Sequence, residues 1–525
     1  MLKHFSSDRR NFLQGCAATT VATLIGGDAL AAGMANIGAM QAADFTVSLP
    51  PRPEMLPLEW APIADAFQHY VMDPSHAVRF TRQDGSPYFV SALEATDDGG
   101  MTTLAPILVG KALRGEDVRS FLPALSKYYN KDAGIFIDGY QGNRCEYWYL
   151  MNINAMASGL LRLQKPQDPV LLKQVRSSAD RLVTLAHDVH YDFNQQGYNF
   201  GQRAPFTNED RYRQPDTVGG YGYLMLMAHE LFGDAVYLQE AKIGLQRYLS
   251  FAENPWYEIP SAALACMAAA RLSTQDSSID AHKAVKRLLD AKDGGMQTGV
   301  WGGREVNGLM QGFHSEPQGQ AYSMESMMVL PYLLPVVRYC PELAGVIAQY
   351  ALNVAANLRW FYPEYLPADL QSRPELAPSI PYERLDLEHD GKSPYAAGDY
   401  KSHRSVYGGA YSMWWAALVA PTEDTFVLQL HASKSDFLAE SKYPTYLYYN
   451  PWGRERTVIL RLDPGEFDMY DLTQHRVIKR RVEGKQLITL SPGESRALIV
   501  IPAGGKYKTE RNLLSVNGVP VDYKA

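Results

Sequence analysis

Side chains that can transfer protons or bind anions are concentrated in five short segments of this 525-residue chain. The segment before residue 321 contains His314, Glu316 and Tyr322, which place an imidazole, a carboxylate and a phenol near one helix start. The other four segments carry the remaining candidates: Glu146 and Tyr147; Asn199, Arg203 and Arg211; Trp256, Tyr257 and Glu258; and Tyr395, His403 and Arg404. Groups of these types perform general acid–base catalysis and hold polar ligands when they converge on one site.

Each of these segments precedes a helical pattern that is apolar nearly all round. These patterns cover residues 145–163, 219–233, 259–272, 321–337 and 408–420. They alternate with amphipathic patterns at residues 168–188, 234–253, 278–292 and 341–361. A helix that is apolar on every side must be buried, whereas a one-sided helix lies outside it. The alternation predicts an (α/α) toroid with an inner and an outer layer, and an open helical array is the alternative.

The inner helices of a toroid run parallel, so the five polar segments would meet at one mouth. Helix N-termini direct partial positive charge and free N–H groups into that space, which suits anionic or hydroxyl-rich ligands. We therefore expect one binding site at this mouth of the ring.

After residue 420 the apolar pattern changes to period two. Short runs such as TYLYYNPW, RTVILRL and RALIVIPA are separated by turns rich in Pro, Gly and Asp. Several such strands at close spacing indicate an antiparallel β-sandwich. The predicted organisation is a signal peptide and linker (1–43), the toroid (44–420) and a C-terminal sandwich (421–525).

The N-terminus looks like a twin-arginine export signal. Arg9 and Arg10 precede a weakly apolar stretch rich in Ala, Gly and Thr, and Ala29–Ala31, Ala42 and Ala43 are candidate cleavage positions. The expected partner during export is the twin-arginine translocase, and the expected location is the periplasm or the cell exterior. Three cysteines remain after the signal, an odd number inside apolar patterns, which favours buried thiols over a disulfide framework.

Composition excludes several classes of protein. The formal net charge of -7 gives no basic surface for nucleic acid. The mature chain contains no apolar run of membrane-spanning length, so no membrane association is expected after signal cleavage. The spacing of its His and Cys residues predicts no zinc site, and we expect neither a metal nor another cofactor.

A helical toroid followed by a β-sandwich, behind an export signal, resembles the two-domain polysaccharide lyases. The resemblance is one of architecture and implies β-elimination on a uronate-containing glycan. In such chemistry Asn199 and Arg203 would neutralise the uronate carboxylate. His314 and Tyr322 would abstract and donate protons, with His403 or Tyr395 as substitutes. Glu146, Tyr147, Arg211, Trp256, Tyr257, Glu258 and Arg404 would contact the substrate.

Two other functions fit the same mouth. An inverting glycoside hydrolase needs two carboxyl groups, and Glu146, Asp216, Glu258, Glu316, Glu325 and Asp399 are available. A periplasmic glycan-binding protein would use the aromatic side chains without any acid and base. The lyase is the favoured hypothesis because of the order of toroid and sandwich.

Overall fold

In the part of the chain that the structure describes, helices predominate as far as residue 418 and strands predominate after it. A computed structural model describes residues 49–138, 142–301, 303–314, 320–368, 371, 378–386 and 404–525. The helices in these ranges are α1 Trp60–Met72, α2 Met101–Leu113, α3 Leu122–Leu125, α4 Tyr147–Leu163, α5 Pro169–Asp188, α6 Thr217–Phe232, α7 Ala235–Ser250, α8 Ile259–Ser273, α9 Ala281–Leu289, α10 Ser323–Leu333, α11 Ala344–Asn357, α12 Val406–Gly409 and α13 Tyr411–Leu418.

Inner helices of the described chain form a closed ring. Going round it, α2 packs against α4, α4 against α6, α6 against α8, α8 against α10, α10 against α13, and α13 against α2. The short helix α12 leads into α13 and packs against α2 and α10. Because the last helix contacts the first, the ring is closed and the open array is excluded. The inner helix α2 was not among the predicted ones.

Outer helices cover this ring: α1 packs on α13, α5 on α4 and α6, α7 on α6, and α9 on α8. Three of them begin with an aspartate whose carboxylate accepts backbone N–H groups of the first turn: Asp168, Asp234 and Asp280. The residues that precede α2, α4, α6, α8 and α10 make no such capping bond with their side chains. First-turn N–H groups of α2 and α4 are instead bonded by side chains from other segments, Asp138 for α2 and Gln214 for α4.

The N-termini of the inner helices lie at one end of the ring, which we call the mouth. Hydrogen bonds join the starts of neighbouring helices. They are Met101 N to Asp138 Oδ1 (2.8 Å) at α2, Trp148 N to Gln214 Oε1 (2.8 Å) between α4 and α6, His314 N to Tyr257 O (2.8 Å) between the segment before α10 and α8, Ser323 N to Glu383 O (2.9 Å) and Tyr407 Oη to Glu383 Oε1 (2.6 Å) between α10 and α12, and Val406 N to Ser91 O (2.8 Å) between α12 and the segment before α2. The predicted convergence of the polar segments follows from this parallel arrangement.

Small strands surround the mouth, and each pairing among them is antiparallel. They are β1 Arg79–Thr81, β2 Pro87–Phe89, β3 Tyr129–Asn130, β4 Ile135–Phe136, β5 Arg144–Glu146, β6 Gly197–Asn199, β7 Ala204–Phe206, β8 Val300–Trp301, β9 Arg304–Glu305, β10 Gln320–Tyr322 and β11 Arg384–Asp386. Strands β5, β6 and β7 form one sheet that leads directly into α4. Strand β10 pairs with β11 and leads into α10.

The strand-rich region contains β12 Val419–Ala420, β13 Gln429–His431, β14 Thr445–Tyr449, β15 Arg456–Arg461, β16 Phe467–Asp471, β17 Arg476–Val482, β18 Lys485–Leu490, β19 Ser495–Pro502, β20 Tyr507–Glu510, β21 Leu513–Val516 and β22 Val519–Asp522. One antiparallel sheet has the order β12-β13-β14-β19-β16-β17, and β15 pairs with β18 as a separate ribbon. A single apolar cluster contains residues of both, including Tyr448 and Met469 from the sheet and Val458 and Ile488 from the ribbon. The predicted antiparallel strands are confirmed, whereas the sandwich and the boundary at residue 421 stay predictions.

The end of the ring opposite the mouth is covered by residues 432–439, which we call the plug. The ring of Phe437 lies 6.0 Å from that of Trp414 and 6.5 Å from that of Tyr332, between centroids. Arg162, near the C-terminus of α4, donates from Nε to Phe437 O at 3.0 Å. Buried Asp436 forms an ion pair with buried Arg338. The strand-rich region therefore supplies the base of the ring.

Other sequence predictions have different outcomes. Cys145, Cys266 and Cys340 are free and buried, as expected. The predicted export signal and its cleavage positions lie outside the described residues. Within the described part of the chain, every helix is too short or too polar to span a bilayer.

Candidate functional site

Four carboxyl groups are buried at the mouth of the ring. Glu146, Asp216 and Glu258 are the residues that immediately precede α4, α6 and α8, and Glu325 lies in the first turn of α10. All four side chains belong to buried residues. Buried carboxylates are costly unless they are paired, hydrogen-bonded or protonated, so such a set around one opening points to a functional site.

Asp216 has a strongly perturbed acidity. The residue is 1% exposed, and burial raises the pKa of its carboxyl group from 3.8 to about 7, although the nearby backbone N–H groups of Tyr257 and Glu258 lower it. Burial dominates because the protein interior disfavours the charged form. A carboxyl group with this pKa is about half protonated at neutral pH and can donate its proton to a leaving oxygen.

Glu146 is held by two glutamine amides from the segments around it. Gln196 Nε2 donates to Oε1 at 3.1 Å, and Gln214 Nε2 lies 3.5 Å from Oε2. Gln214 also accepts the N–H of Trp148, so the carboxylate is fixed to the first turn of α4. The two glutamines thus fix the position of the Glu146 carboxylate at the start of α4. Its contact to substrate stays a prediction.

Aromatic side chains lie beside these carboxyl groups. Tyr147 is buried in the first turn of α4, with its ring 5.2 Å from that of Phe193, and burial raises the pKa of its phenol. Trp256 and Tyr257 are both buried immediately before Glu258. The ring of Trp256 contacts His314 at 5.3 Å between centroids, edge to face. Such aromatic surfaces provide apolar contact area with a polar edge, as a sugar site requires.

Tyr322 and Arg384 form a second chemical feature of the mouth. They are paired across β10 and β11, and Arg384 Nη1 donates to Tyr322 Oη at 3.3 Å. The guanidinium carbon of Arg384 lies 5.9 Å from the centre of the Tyr322 ring. Arg404 precedes α12 in the chain and is buried. Its Nε donates to Ile380 O at 2.7 Å. A phenol beside a guanidinium suits proton transfer next to an anionic group.

His314 is exposed at the end of the segment that precedes α10. Its backbone N–H donates to Tyr257 O at 2.8 Å, which fixes the segment to the start of α8. The structure therefore places His314 beside Trp256 and Tyr257, so three of the predicted residues are together on one side of the mouth.

Asn199, Arg203 and Arg211 lie in local surface arrangements. Asn199 Nδ2 donates to Gln202 Oε1 at 3.0 Å within one turn. Arg203 forms an ion pair with Asp188 at 2.7 Å, at the last residue of the outer helix α5. Arg211 pairs with Glu209 at 2.9 Å. The guanidinium of Arg203 thus pairs with the end of an outer helix, and its assignment as a group that neutralises substrate stays a prediction.

Four candidates, Glu316, Tyr395, Asp399 and His403, lie outside the described residues. Conversely, Asp138 and Arg384 were not predicted. Asp138 accepts from Thr102 Oγ1 at 2.6 Å and ties β4 to the start of α2, with a pKa that burial raises to about 6. Polar residues inside the apolar pattern of α4, Asn152 and Asn154, were a further signal available in the sequence.

No group of three or more His, Cys, Asp or Glu side chains with the geometry of a metal site occurs in the described ranges.

Comparisons with known proteins add limited information. No protein-family model matches the sequence, and no curated protein matches it. Similar solved structures include a family 76 glycoside hydrolase from a bovine Bacteroides thetaiotaomicron strain, at 12% identity and a TM-score of 0.43 over 68% of this chain and 78% of that chain. A cellobiose 2-epimerase from Bacillus thermoamylovorans matches at 8% identity and a TM-score of 0.45 over 68% and 98% of the two chains. A D-mannose isomerase matches at 12% identity and a TM-score of 0.41 over 68% and 95%. At these low TM-scores the likenesses carry no argument about this chain, whose ring is shown by its own contacts.

Proposed function

We propose that this chain is a carbohydrate-processing enzyme that hydrolyses glycosidic bonds with two of the carboxyl groups at the mouth. The observation that carries the proposal is the set of four buried carboxyl groups around one opening, of which Asp216 has a pKa of about 7. Glycoside hydrolysis requires one protonated carboxyl group and one carboxylate. In this proposal Asp216 protonates the leaving oxygen, and Glu258 or Glu325 acts as the second carboxyl group.

The surroundings of the carboxyl groups support a hydroxyl-rich substrate. Polar side chains at the starts of the inner helices, including the amides of Gln196 and Gln214 beside Glu146, offer donors and acceptors to hydroxyl groups. Trp256 and Tyr257 add aromatic surface on the same side as Glu258. A glycan offers hydroxyl groups to the first set and apolar sugar faces to the second.

A second candidate reaction is β-elimination on a uronate-containing glycan. The contact between Tyr322 and Arg384 favours it, because the guanidinium could bind the uronate and stabilise the phenolate form of Tyr322, which would take up the α-proton. The binding-protein alternative has no specific support in the geometry.

The test is incubation of residues 44–525 with neutral and uronate-containing glycans. Reducing ends and the ultraviolet absorbance of unsaturated uronates are followed together. Hydrolysis gives reducing ends without the absorbance, and elimination gives both. For hydrolysis, Asp216→Asn should reduce turnover about a thousandfold, since it removes a general acid. Glu240→Gln is the matched control, because Glu240 is buried away from the mouth and bonded to His187, Tyr191 and Tyr221.

Three results would decide against hydrolysis at this site. One is full turnover by Asp216→Asn, and another is an equal loss in Glu240→Gln. The third is absorbance that depends on Tyr322, which is lost in Tyr322→Phe and would establish elimination. Binding of glycans without any turnover would support the non-catalytic alternative.

We also propose export through the twin-arginine pathway to the periplasm or the cell exterior. The support is the pair Arg9 and Arg10 ahead of the weakly apolar stretch. Replacing both arginines with lysine should leave the precursor in the cytoplasm, as cell fractionation would show. Continued export of that variant would contradict the proposal.

A further inference from the structure

Residues 49–58 form an extended segment along α11, which we call the strap. The side-chain amides of Gln349 and Asn353 donate to the first two carbonyl groups of the strap, at 2.8 and 2.9 Å. At the other end, Leu58 N donates to Ala355 O at 3.0 Å. Four of its ten residues are prolines, whose fixed φ favours an extended backbone. The strap is therefore fastened to α11 at both of its ends.

The middle of the strap donates a hydrogen bond to a buried carboxylate. Glu305 is 6% exposed, and its Oε2 accepts the backbone N–H of Glu54 at 2.9 Å. Its Oε1 accepts Asn307 Nδ2 at 2.7 Å. A buried carboxylate that loses a donor costs free energy, so the strap helps to hold Glu305 in place.

Glu305 belongs to a hairpin that reaches the mouth. The hairpin comprises residues 295–313, with β8 and β9 at its tip, and Glu305 is the last residue of β9. Backbone hydrogen bonds pair its two sides along their length. At its base, Phe313 forms an antiparallel bridge with Glu258. The hairpin thus connects the strap to one of the buried carboxyl residues of the mouth.

The backbone at the base of the hairpin also affects Asp216. The N–H groups of Tyr257 and Glu258 lower the pKa of the Asp216 carboxyl group, against the larger effect of burial. Tyr248 of α7 is a titratable side chain near this carboxyl group, since a charge on Asp216 raises the pKa of its phenol. The position of the backbone before α8 therefore contributes to the acidity of Asp216.

We propose that the strap is a positioning element for the mouth, and that Glu305 transmits its position through the hairpin to Glu258 and Asp216. The bond between Glu54 N and Glu305 holds the tip of the hairpin, and the bridge at Phe313 holds its base. Glu305 acts through the hairpin, so it is a positioning residue and not a catalytic one. The effect on turnover rests on the proposed function, whereas the link between strap and hairpin does not.

Hydrogen exchange of residues 44–525, followed by mass spectrometry, tests the link. Glu54→Pro removes the N–H donor and should reduce the protection of the hairpin amides about tenfold, while the amides of α6 stay protected. The loss is partial because Trp360 Nε1 still donates to Glu305 O at 2.8 Å. Glu54→Ala is the matched control, since it removes an exposed side chain, keeps the N–H and should exchange like the wild type. Wild-type protection of the hairpin in Glu54→Pro would overturn the proposal, as would faster exchange throughout the ring.

Glu305→Gln tests the same bond from the other side. The amide oxygen can keep the bond from Asn307, but the amide NH₂ group then faces the N–H of Glu54. Protection of the hairpin should therefore fall by a similar factor. The double variant should add little to either single variant, because both remove one bond. Additive losses would show two independent effects and would also overturn the link.

Turnover separates positioning from a structural role. On a glycan that the wild type hydrolyses, Glu54→Pro should lower kcat about tenfold through misplacement of the mouth. It should also move the alkaline limb of the pH profile upward, because Asp216 loses N–H contacts that lower its pKa. A loosened hairpin with unchanged kcat and pH profile would overturn the positioning role and retain the hydrolase. A loosened hairpin in a protein that hydrolyses no glycan would retain the link and remove the hydrolase.

Discussion

The pKa of Asp216 predicts that Asp216→Asn makes the protein more stable at alkaline pH. The pKa of Asp216 is about 7 in the folded protein, against 3.8 for an aspartate in the unfolded chain, a difference of about 3 units. At 1.36 kcal/mol per unit, the buried carboxylate costs about 4 kcal/mol of folding free energy above pH 7. Asparagine avoids this cost, but it loses the contacts of backbone N–H groups to a charged oxygen, which are worth about 1 kcal/mol. The expected net gain in folding free energy is therefore about 3 kcal/mol.

The gain must depend on pH in a defined direction. Below about pH 3 the carboxyl group of Asp216 is protonated in both the folded and the unfolded chain, so the wild type has no penalty. As the pH rises from about 3 to about 7, the unfolded chain releases the proton and the folded chain keeps it, which favours unfolding. The advantage of Asp216→Asn should therefore be small at pH 4 and complete at pH 8.

The assay is urea unfolding of both proteins at pH 4 and pH 8. Asp210→Asn is the control, because the side chain of Asp210 is 89% exposed and should give no pH-dependent gain. The same stability difference at both pH values would refute the reasoning, as would a less stable Asp216→Asn at pH 8. A variant that is more stable yet inactive would have the signature of a residue kept for function.

Three further predictions concern the ring and its base. Asp436→Ala should lower the free energy of unfolding by about 3–5 kcal/mol, because it leaves Arg338 buried without its partner; urea unfolding measures this. Gly219→Ala should lower the thermal midpoint, since a Cβ there would lie 2.8 Å from a side chain of α8, whereas Gly453→Ala has open space and should not. Asp138→Ala should cost about 2 kcal/mol in urea unfolding, since it removes both bonds that hold the start of α2; an unchanged midpoint would contradict this.

Much of the fold could be predicted from periodicity. The all-round apolar runs became inner helices and the one-sided runs became outer helices, because burial decides both patterns. Helix α2 was not predicted, although its residues are buried on nearly every side like those of the other inner helices. Closure of the ring could not be predicted, since contact between α13 and α2 joins residues about 300 positions apart and leaves no local pattern.

The candidate site was only partly predictable for a similar reason. Glu146, Tyr147, Trp256, Tyr257 and Glu258 adjoin helix starts, and parallel inner helices bring such positions together. Local sequence does not show which side chains will pair, so the ion pair between Arg203 and Asp188 could not be predicted. The same is true of the contact that joins Tyr322 to Arg384, 62 positions away.

The plug has a consequence for how this protein can be divided. A fragment ending at residue 420 would leave Trp414 and Tyr332 facing water and Arg338 without its carboxylate. We therefore expect the helical part to be unstable without the strand-rich part. Neither part should be exchangeable with a counterpart from another protein. Attempts at modular engineering should keep the base loop with the ring that it seals.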